Sequence, residues 1–117
     1  MDSKSSSAKP IGPYSPCVAA GDFLFVSGQI GEALPDITDA TWQCIGNIIA
    51  ILESQNMKIS DVVKTTVFLR NLNDFEAMNS VYAQSFVQPY PARSTIEVSR
   101  LPKNALVEIE CVAYRGV

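Results

Sequence analysis

Two predicted strands near the end of the chain, residues 93–98 and 106–114, contain the charged side chains best suited to chemistry. The side chains that strand alternation brings to one face are Arg93, Thr95 and Glu97 in the first strand and Glu108 and Glu110 in the second. If the two strands form a hairpin, these faces coincide. A guanidinium binds a carboxylate in a bidentate manner, and a glutamate serves as a general base. The competing interpretation is a solvated face with weak cross-strand ion pairs.

The chain contains no histidine. Ser-His-Asp and Cys-His catalysis, paired-histidine ribonuclease chemistry and histidine metal sites are therefore excluded. The three cysteines, Cys17, Cys44 and Cys111, lie far apart without a CxxC pair. This pattern predicts reduced core thiols rather than disulfides or a zinc site, with a reactive thiol as the less favoured alternative. We therefore predict no metal site.

Five further residues have ordinary structural interpretations beside any functional one. Ser27 and Gly28 end an apolar strand, where turn-forming residues are common. Asn79 lies beside an apolar helical stripe and is predicted to be a partly buried amide. Tyr14, between two prolines, is typical of a packed loop aromatic. Lys64 lies within a strand, where a side chain that extends to solvent is favoured over a Schiff base.

The chain has 117 residues, of which 47% are hydrophobic and 18% charged, and this predicts one globular domain. Apolar spacing predicts two helices and five strands. The helices are predicted at residues 36–55 and 75–87, and the strands at 17–20, 23–30, 62–69, 93–98 and 106–114. The order ββαβαββ indicates an α+β domain with one mixed sheet. Two helices cover only one sheet face, so apolar residues on both faces of residues 62–69 predict self-association.

Residues 1–10 are polar and rich in serine and lysine, which predicts a flexible N-terminal tail before a domain that spans residues 11–117. This tail lacks the apolar region of a signal peptide, and the chain has no run of eighteen apolar residues. We therefore expect a cytoplasmic protein without a membrane partner. A formal net charge of −3 and the lack of a basic, aromatic patch make nucleic acid an unlikely partner.

Five segments of the sequence together carry a family resemblance. They are residues 11–15 (Ile-Gly-Pro-Tyr-Ser), 26–30 (Val-Ser-Gly-Gln-Ile), 63–75 (from Val-Lys-Thr-Thr-Val-Phe-Leu to Asn-Asp-Phe), 90–94 (Tyr-Pro-Ala-Arg-Ser) and 100–110 (Arg-Leu-Pro-Lys to Val-Glu-Ile-Glu). In this combination the chain resembles the RidA family, also called YjgF or endoribonuclease L-PSP. The match runs in register from Ile11 almost to Arg115.

The resemblance implies a chorismate-mutase-like fold assembled as a homotrimer. The sheets would line a central barrel with the helices outside, and the active sites would lie in clefts between subunits. The family reaction is hydrolysis of reactive 2-imino or enamine acids, such as 2-aminoacrylate, to a 2-keto acid and ammonia. The resemblance implies no cofactor.

By position, Arg93 matches the family arginine that holds the substrate carboxylate, and Glu108 matches the glutamate that positions and activates water. The positions that match pocket-lining residues are Tyr14, Ser27, Gly28 and Asn79. Thr95, also assigned to substrate binding, falls where several members have cysteine, so this chain lacks a thiol there. The stretch before Pro91 is a few residues shorter than in relatives.

Two other functions remain open from the sequence. One is an endoribonuclease or translation inhibitor, an activity attributed to some family members and disfavoured here by the acidic charge balance and the lack of histidine. The other is a non-enzymatic trimer that binds carboxylate ligands in the same clefts. In that case Arg93 would still bind the ligand and Glu108 would be dispensable.

Overall fold

A computed structural model of the chain describes residues 10–31 and 35–116. The strands and helices are β1 (Cys17–Ala20), β2 (Phe23–Ile30), α1 (Ile37–Ser54), β3 (Val62–Leu69), α2 (Phe75–Ser85), β4 (Ala92–Glu97) and β5 (Val107–Tyr114). This order confirms the predicted ββαβαββ arrangement. Residues 1–9 of the predicted tail lie outside the described residues.

The first helix begins where its sequence provides a cap. The Asp36 side chain accepts hydrogen bonds from the backbone N–H groups of Thr38, at 2.7 Å, and of Asp39. These bonds satisfy two of the amide groups that a helix leaves unpaired at its start. Asn56, just beyond the C-terminal end of α1, adopts a φ of 59°, and this left-handed residue turns the chain toward β3.

The five strands form one mixed sheet in the order β1-β2-β5-β3-β4. All neighbouring pairs are antiparallel except β3 and β4, which are parallel. The last two strands do not form the hairpin that the sequence left possible, because β3 lies between β4 and β5. The reason is that α2 acts as a crossover, which returns the chain to the same end of the sheet and makes β4 parallel to β3.

This topology places Arg93 and Glu108 on opposite faces of the sheet. Arg93 is in register with Thr65, which is fully buried on the face covered by the helices. Glu108 is in register with Phe68 and Ile30 on the other face. The expectation that the arginine face and the glutamate face coincide within one chain is therefore wrong.

Helices α1 and α2 pack against one face of the sheet and form the core with it. Buried side chains of this core include Leu24, Ile45, Ile48, Leu69, Met78 and Ile109. The opposite face, called here the open face, exposes the large apolar side chains Val18, Phe23, Phe25 and Ile96. Among the described residues, no helix is long and apolar enough to cross a bilayer. The cytoplasmic location stays a prediction.

Candidate active site

A β-bulge in β2 creates the surroundings of Glu108. The register between β2 and β5 shifts between Val26 and Gln29, so that Ser27 and Gly28 together oppose Glu110. A Cβ atom at Gly28 would collide with the carboxylate group of Glu108. Only glycine allows the glutamate side chain to lie against the backbone of β2 at this point.

Ser27 attaches the N-terminal loop to the same bulge. Its hydroxyl donates a 2.6 Å hydrogen bond to the carbonyl oxygen of Ser15, and its backbone N–H donates to the carbonyl of Pro16 at 2.9 Å. Gln29 in turn donates from Nε2 to the carbonyl of Ser27 at 3.0 Å. These bonds hold the loop that carries Tyr14, whose side chain is 45% exposed.

A cavity of about 620 Å³ lies between this loop, β2, β5 and α1. Its lining includes Tyr14, Ser27, Gly28 and Glu108, so four of the predicted site residues surround one space, and their roles stay predictions. Glu110 and two amide side chains of α1, Gln43 and Asn47, also line it. None of the described lining residues is basic. The cavity therefore offers a carboxylate without a neighbouring cation, and we call it the glutamate half-site.

Burial raises the pKa of Glu108 above the ordinary value for a glutamate, and the nearby Glu110 carboxylate raises it further. The increase has the sign that a general base requires, because a more basic carboxylate removes a proton from water more readily.

Arg93 lies in a second group, between β4 and α2. Its guanidinium carbon is 4.8 Å from the centre of the Tyr82 ring and 5.6 Å from that of Phe75. The Tyr82 hydroxyl is in turn hydrogen-bonded to Thr65 Oγ1 at 2.7 Å, which fixes the ring. Cation–π contact holds the guanidinium without neutralising its charge.

No carboxylate within residues 10–31 and 35–116 forms an ion pair with Arg93. Glu97, which the sequence placed on the same strand face, accepts a hydrogen bond from the backbone N–H of Leu72 at 2.8 Å. Two polar atoms of the same two elements, Asn79 Oδ1 on α2 and Thr95 Oγ1 on β4, are buried without a hydrogen-bond partner. We call Arg93, Asn79, Thr95 and the two rings the arginine half-site.

The structure thus divides the predicted site residues into two half-sites that do not meet within one chain. Sequence reasoning missed Phe75 and Tyr82, which hold the guanidinium. Both residues belong to the apolar stripe of α2, and a stripe at helical spacing is usually assigned to the core. The sequence did contain one signal for them: both are aromatic, and the strand that follows α2 carries an arginine, which aromatic rings can bind. Gln43 and Asn47, at an i, i+4 spacing on α1, were also missed.

Comparison with known proteins agrees with this fold. The chain is 52% identical over 114 residues to a RutC family protein of Pyrococcus horikoshii, covering 92% of this chain and 90% of that protein. It is 42% identical to the 2-iminobutanoate/2-iminopropanoate deaminase of Escherichia coli, covering 90% and 89%. The crystal structure of E. coli TdcF with bound serine superposes with a TM-score of 0.86 at 35% identity, covering 99% of this chain and 97% of that one.

The fold and these matches define a small α+β protein of the RidA/YjgF type, as the resemblance implied. The sequence model of the family described as endoribonuclease L-PSP matches residues 4–115. The chain therefore belongs to the endoribonuclease L-PSP family, also known as RidA/YjgF.

Proposed function

We propose that the protein is a hydrolytic deaminase that converts reactive 2-imino and enamine acids to 2-keto acids and ammonia. The observation that carries this proposal is the complementarity of the half-sites. Arg93 is a cation without a carboxylate partner among the described residues, and Glu108 is a carboxylate without a cation. Relatives 46% and 42% identical are named 2-iminobutanoate/2-iminopropanoate deaminases, which supports the proposal. The bound serine in the TdcF structure is an amino acid, and it carries the carboxylate that the proposed substrates also have.

Arg93 would hold the substrate carboxylate through two parallel hydrogen bonds, which fixes the position of the adjacent imine carbon. Glu108 would accept a proton from a water molecule while the water oxygen bonds to that carbon. Glu108 would pass this proton to the imine nitrogen, which leaves a carbon with one hydroxyl and one amino group. The nitrogen then takes the hydroxyl proton as the C–N bond breaks and departs as ammonia, and the oxygen remains as the carbonyl of the 2-keto acid. One water is consumed for each ammonia released. An imine is already a good electrophile, so orientation and one base are sufficient.

We further propose a homotrimer in which each active site combines the glutamate half-site of one subunit with the arginine half-site of its neighbour. Arg93 and Glu108 lie on opposite sheet faces, so one chain alone cannot direct both groups at one small substrate. The open face exposes Phe23, Phe25 and other apolar side chains, and a second copy would remove this area from water. In a closed ring of three subunits, each interface joins two different surfaces of neighbouring copies, so each interface would bring one glutamate half-site to one arginine half-site.

A coupled assay tests the activity. An amino-acid dehydratase or oxidase generates the imine in solution, and the appearance of keto acid is followed with and without the protein. We expect the protein to accelerate keto-acid release above the spontaneous rate. The same rate with and without the protein, at several imine side-chain sizes, would overturn the deaminase proposal.

A further inference from the structure

The space between α2 and β4 contains two polar atoms that lack partners. Asn79 Oδ1 and Thr95 Oγ1 are both buried, and neither forms a hydrogen bond. An unpaired buried acceptor costs free energy, and most such atoms in proteins are paired. A pair of them on neighbouring elements points to a donor group that both atoms can reach.

The candidate for that donor is the Arg93 guanidinium, which bonds to neither atom in the ligand-free structure. Phe75, Asn79 and Tyr82 are spaced i, i+4 and i+7 on α2, so they share one helix face. The guanidinium lies over both rings, which places it beside the residue between them. Thr95 is two residues beyond Arg93 on the same side of β4. Guanidinium groups only donate hydrogen bonds, and this one has no ion pair with any described residue.

Contact with two rings does not fix the rotation of the guanidinium. A ring face attracts the positive charge but presents no directional acceptor, so the guanidinium can turn against it. Bidentate binding of a carboxylate requires one particular edge of the guanidinium to face the ligand. Acceptors on the opposite edge would fix this rotation.

We propose that Asn79 and Thr95 are positioning residues for Arg93. Neither oxygen bonds to Arg93 in the ligand-free structure. When the substrate carboxylate binds, the guanidinium turns against the rings, both oxygens accept N–H bonds from its inner edge, and its outer edge faces the carboxylate. The inference rests on the proposed function of Arg93 as the carboxylate-binding group. It also predicts that threonine at position 95 holds Arg93 more firmly than a cysteine would, since a hydroxyl oxygen is a stronger acceptor than the sulfur of a cysteine.

The first test measures the affinity for a 2-keto acid, 2-oxobutanoate, by calorimetry. Asn79→Leu and Thr95→Val preserve approximate side-chain volume but remove the acceptor. Each should weaken binding about tenfold, as expected for a lost bond to a charged group. Thr95→Ser should restore parental affinity, and Thr95→Cys should bind as weakly as Thr95→Val. Ser80→Ala, at an exposed residue next to Asn79, is the matched control and should change nothing.

The second test observes the guanidinium directly by ¹⁵N NMR of the arginine side chains. With the keto acid bound, the parent protein should show distinct, slowly exchanging Nη signals for Arg93, and Asn79→Leu and Thr95→Val should show averaged signals. A merely structural role for these residues would lower stability without changing this exchange.

The outcomes separate the two proposals. Failure of the parent protein to bind the keto acid would overturn the proposed function and this inference together. Binding that is lost in Arg93→Ala but unchanged in both acceptor variants would overturn only the inference. Parental affinity together with slow Nη exchange in Asn79→Leu and Thr95→Val is the decisive contrary result.

Discussion

Arg93 and Glu108 have different expected roles, and substitutions separate them. Arg93→Ala removes a charge-assisted contact, so it should weaken carboxylate ligands by about 2–5 kcal/mol and reduce turnover through lost positioning. Glu108→Gln keeps the shape of the side chain but removes the base. It should leave keto-acid affinity nearly unchanged and slow the chemical step roughly 10²–10⁴-fold. Isothermal titration and the coupled assay, corrected for spontaneous hydrolysis, measure the two effects.

Full activity of Glu108→Gln in a folded protein would show that the glutamate is structural and that the base lies elsewhere. Parental keto-acid affinity in Arg93→Ala would contradict the assignment of the carboxylate-binding group. Glu53→Gln, which removes an exposed carboxylate of α1, is the control for a change in net charge alone.

The raised pKa of Glu108 predicts how stability depends on pH. Burial, and then the Glu110 charge, raise the folded-state pKa, so the folded protein binds this proton more tightly than the unfolded chain does. The resulting stabilisation is present below the ordinary glutamate pKa and is lost as pH rises through the folded-state pKa. Glu108→Gln should therefore be more stable than the parent at pH 7, and the difference should shrink toward about pH 4.

Urea denaturation of the parent, Glu108→Gln and Glu53→Gln at both pH values measures this difference. As the pH is lowered, the turnover of the parent should begin to fall at a higher pH than it would with a glutamate base of ordinary pKa. An equal gain in stability at both pH values would show that the burial of the charge is not its cause.

The cysteines are expected to be unreactive. All three are buried, and burial raises the pKa of the Cys44 and Cys111 thiols to about 12, with Glu108 and Glu110 respectively adding to the effect. These two thiols carry almost no thiolate near pH 8 and Cys17 is shielded by its burial, so iodoacetamide should label the native protein far more slowly than the urea-unfolded chain. Mass spectrometry measures the labelling. Cys44→Ala should cost about 1–2 kcal/mol of stability but leave turnover intact, and loss of turnover in a folded variant would reveal a catalytic thiol.

At the scale of the elements, the β-bulge of β2 determines whether Glu108 fits. Gly28→Ala would place a methyl group against the Glu108 carboxylate, so the side chain or the strand must move. We expect turnover to fall at least tenfold, because a displacement of about an ångström is enough to disrupt catalysis. The coupled assay and thermal unfolding of this variant measure the two consequences.

Gly46→Ala on α1 is the matched control. A Cβ atom at Gly46 meets nothing within 4 Å, and alanine is the better helix former by about 0.5–1 kcal/mol. This variant should be more stable than the parent and equally active. Equal activity of Gly28→Ala and Gly46→Ala would show that the close contact at Gly28 has no functional role.

At the scale of the whole molecule, division of the site between subunits predicts complementation. In mixed trimers of Arg93→Ala and Glu108→Gln, half of the subunits carry the intact glutamate and the other half carry the intact arginine. An interface that combines one of each should therefore form at about a quarter of the interfaces. Two inactive proteins should therefore regain activity when they are unfolded and refolded together.

Sedimentation of the parent near three times 12.7 kDa is the accompanying expectation. Proteins that are mixed without unfolding, and so exchange no subunits, serve as the control. A monomer at all concentrations, or no activity after joint refolding, would contradict the shared site.

The sequence by itself determined the element order and the identity of the chemical groups. Apolar spacing marks α1 and α2, β-branched runs mark the strands, and these local patterns depend only on near neighbours along the chain. The roles of Arg93 and Glu108 came from motifs that resemble a family, and the lack of histidine limited the alternatives. What the sequence could not determine was strand order, because pairing between distant segments is set by the packing of the helices on the sheet.

Only the tertiary structure showed that β3 separates β4 from β5, and therefore that Arg93 and Glu108 lie on opposite faces. The contact of Gly28 with Glu108 and the contact of Arg93 with the Tyr82 and Phe75 rings likewise appear only in the folded chain. Each of these contacts joins residues that are far apart in sequence or on different elements. Such contacts are decided by how a crossover helix and a bulge direct the chain in space, which no local pattern specifies.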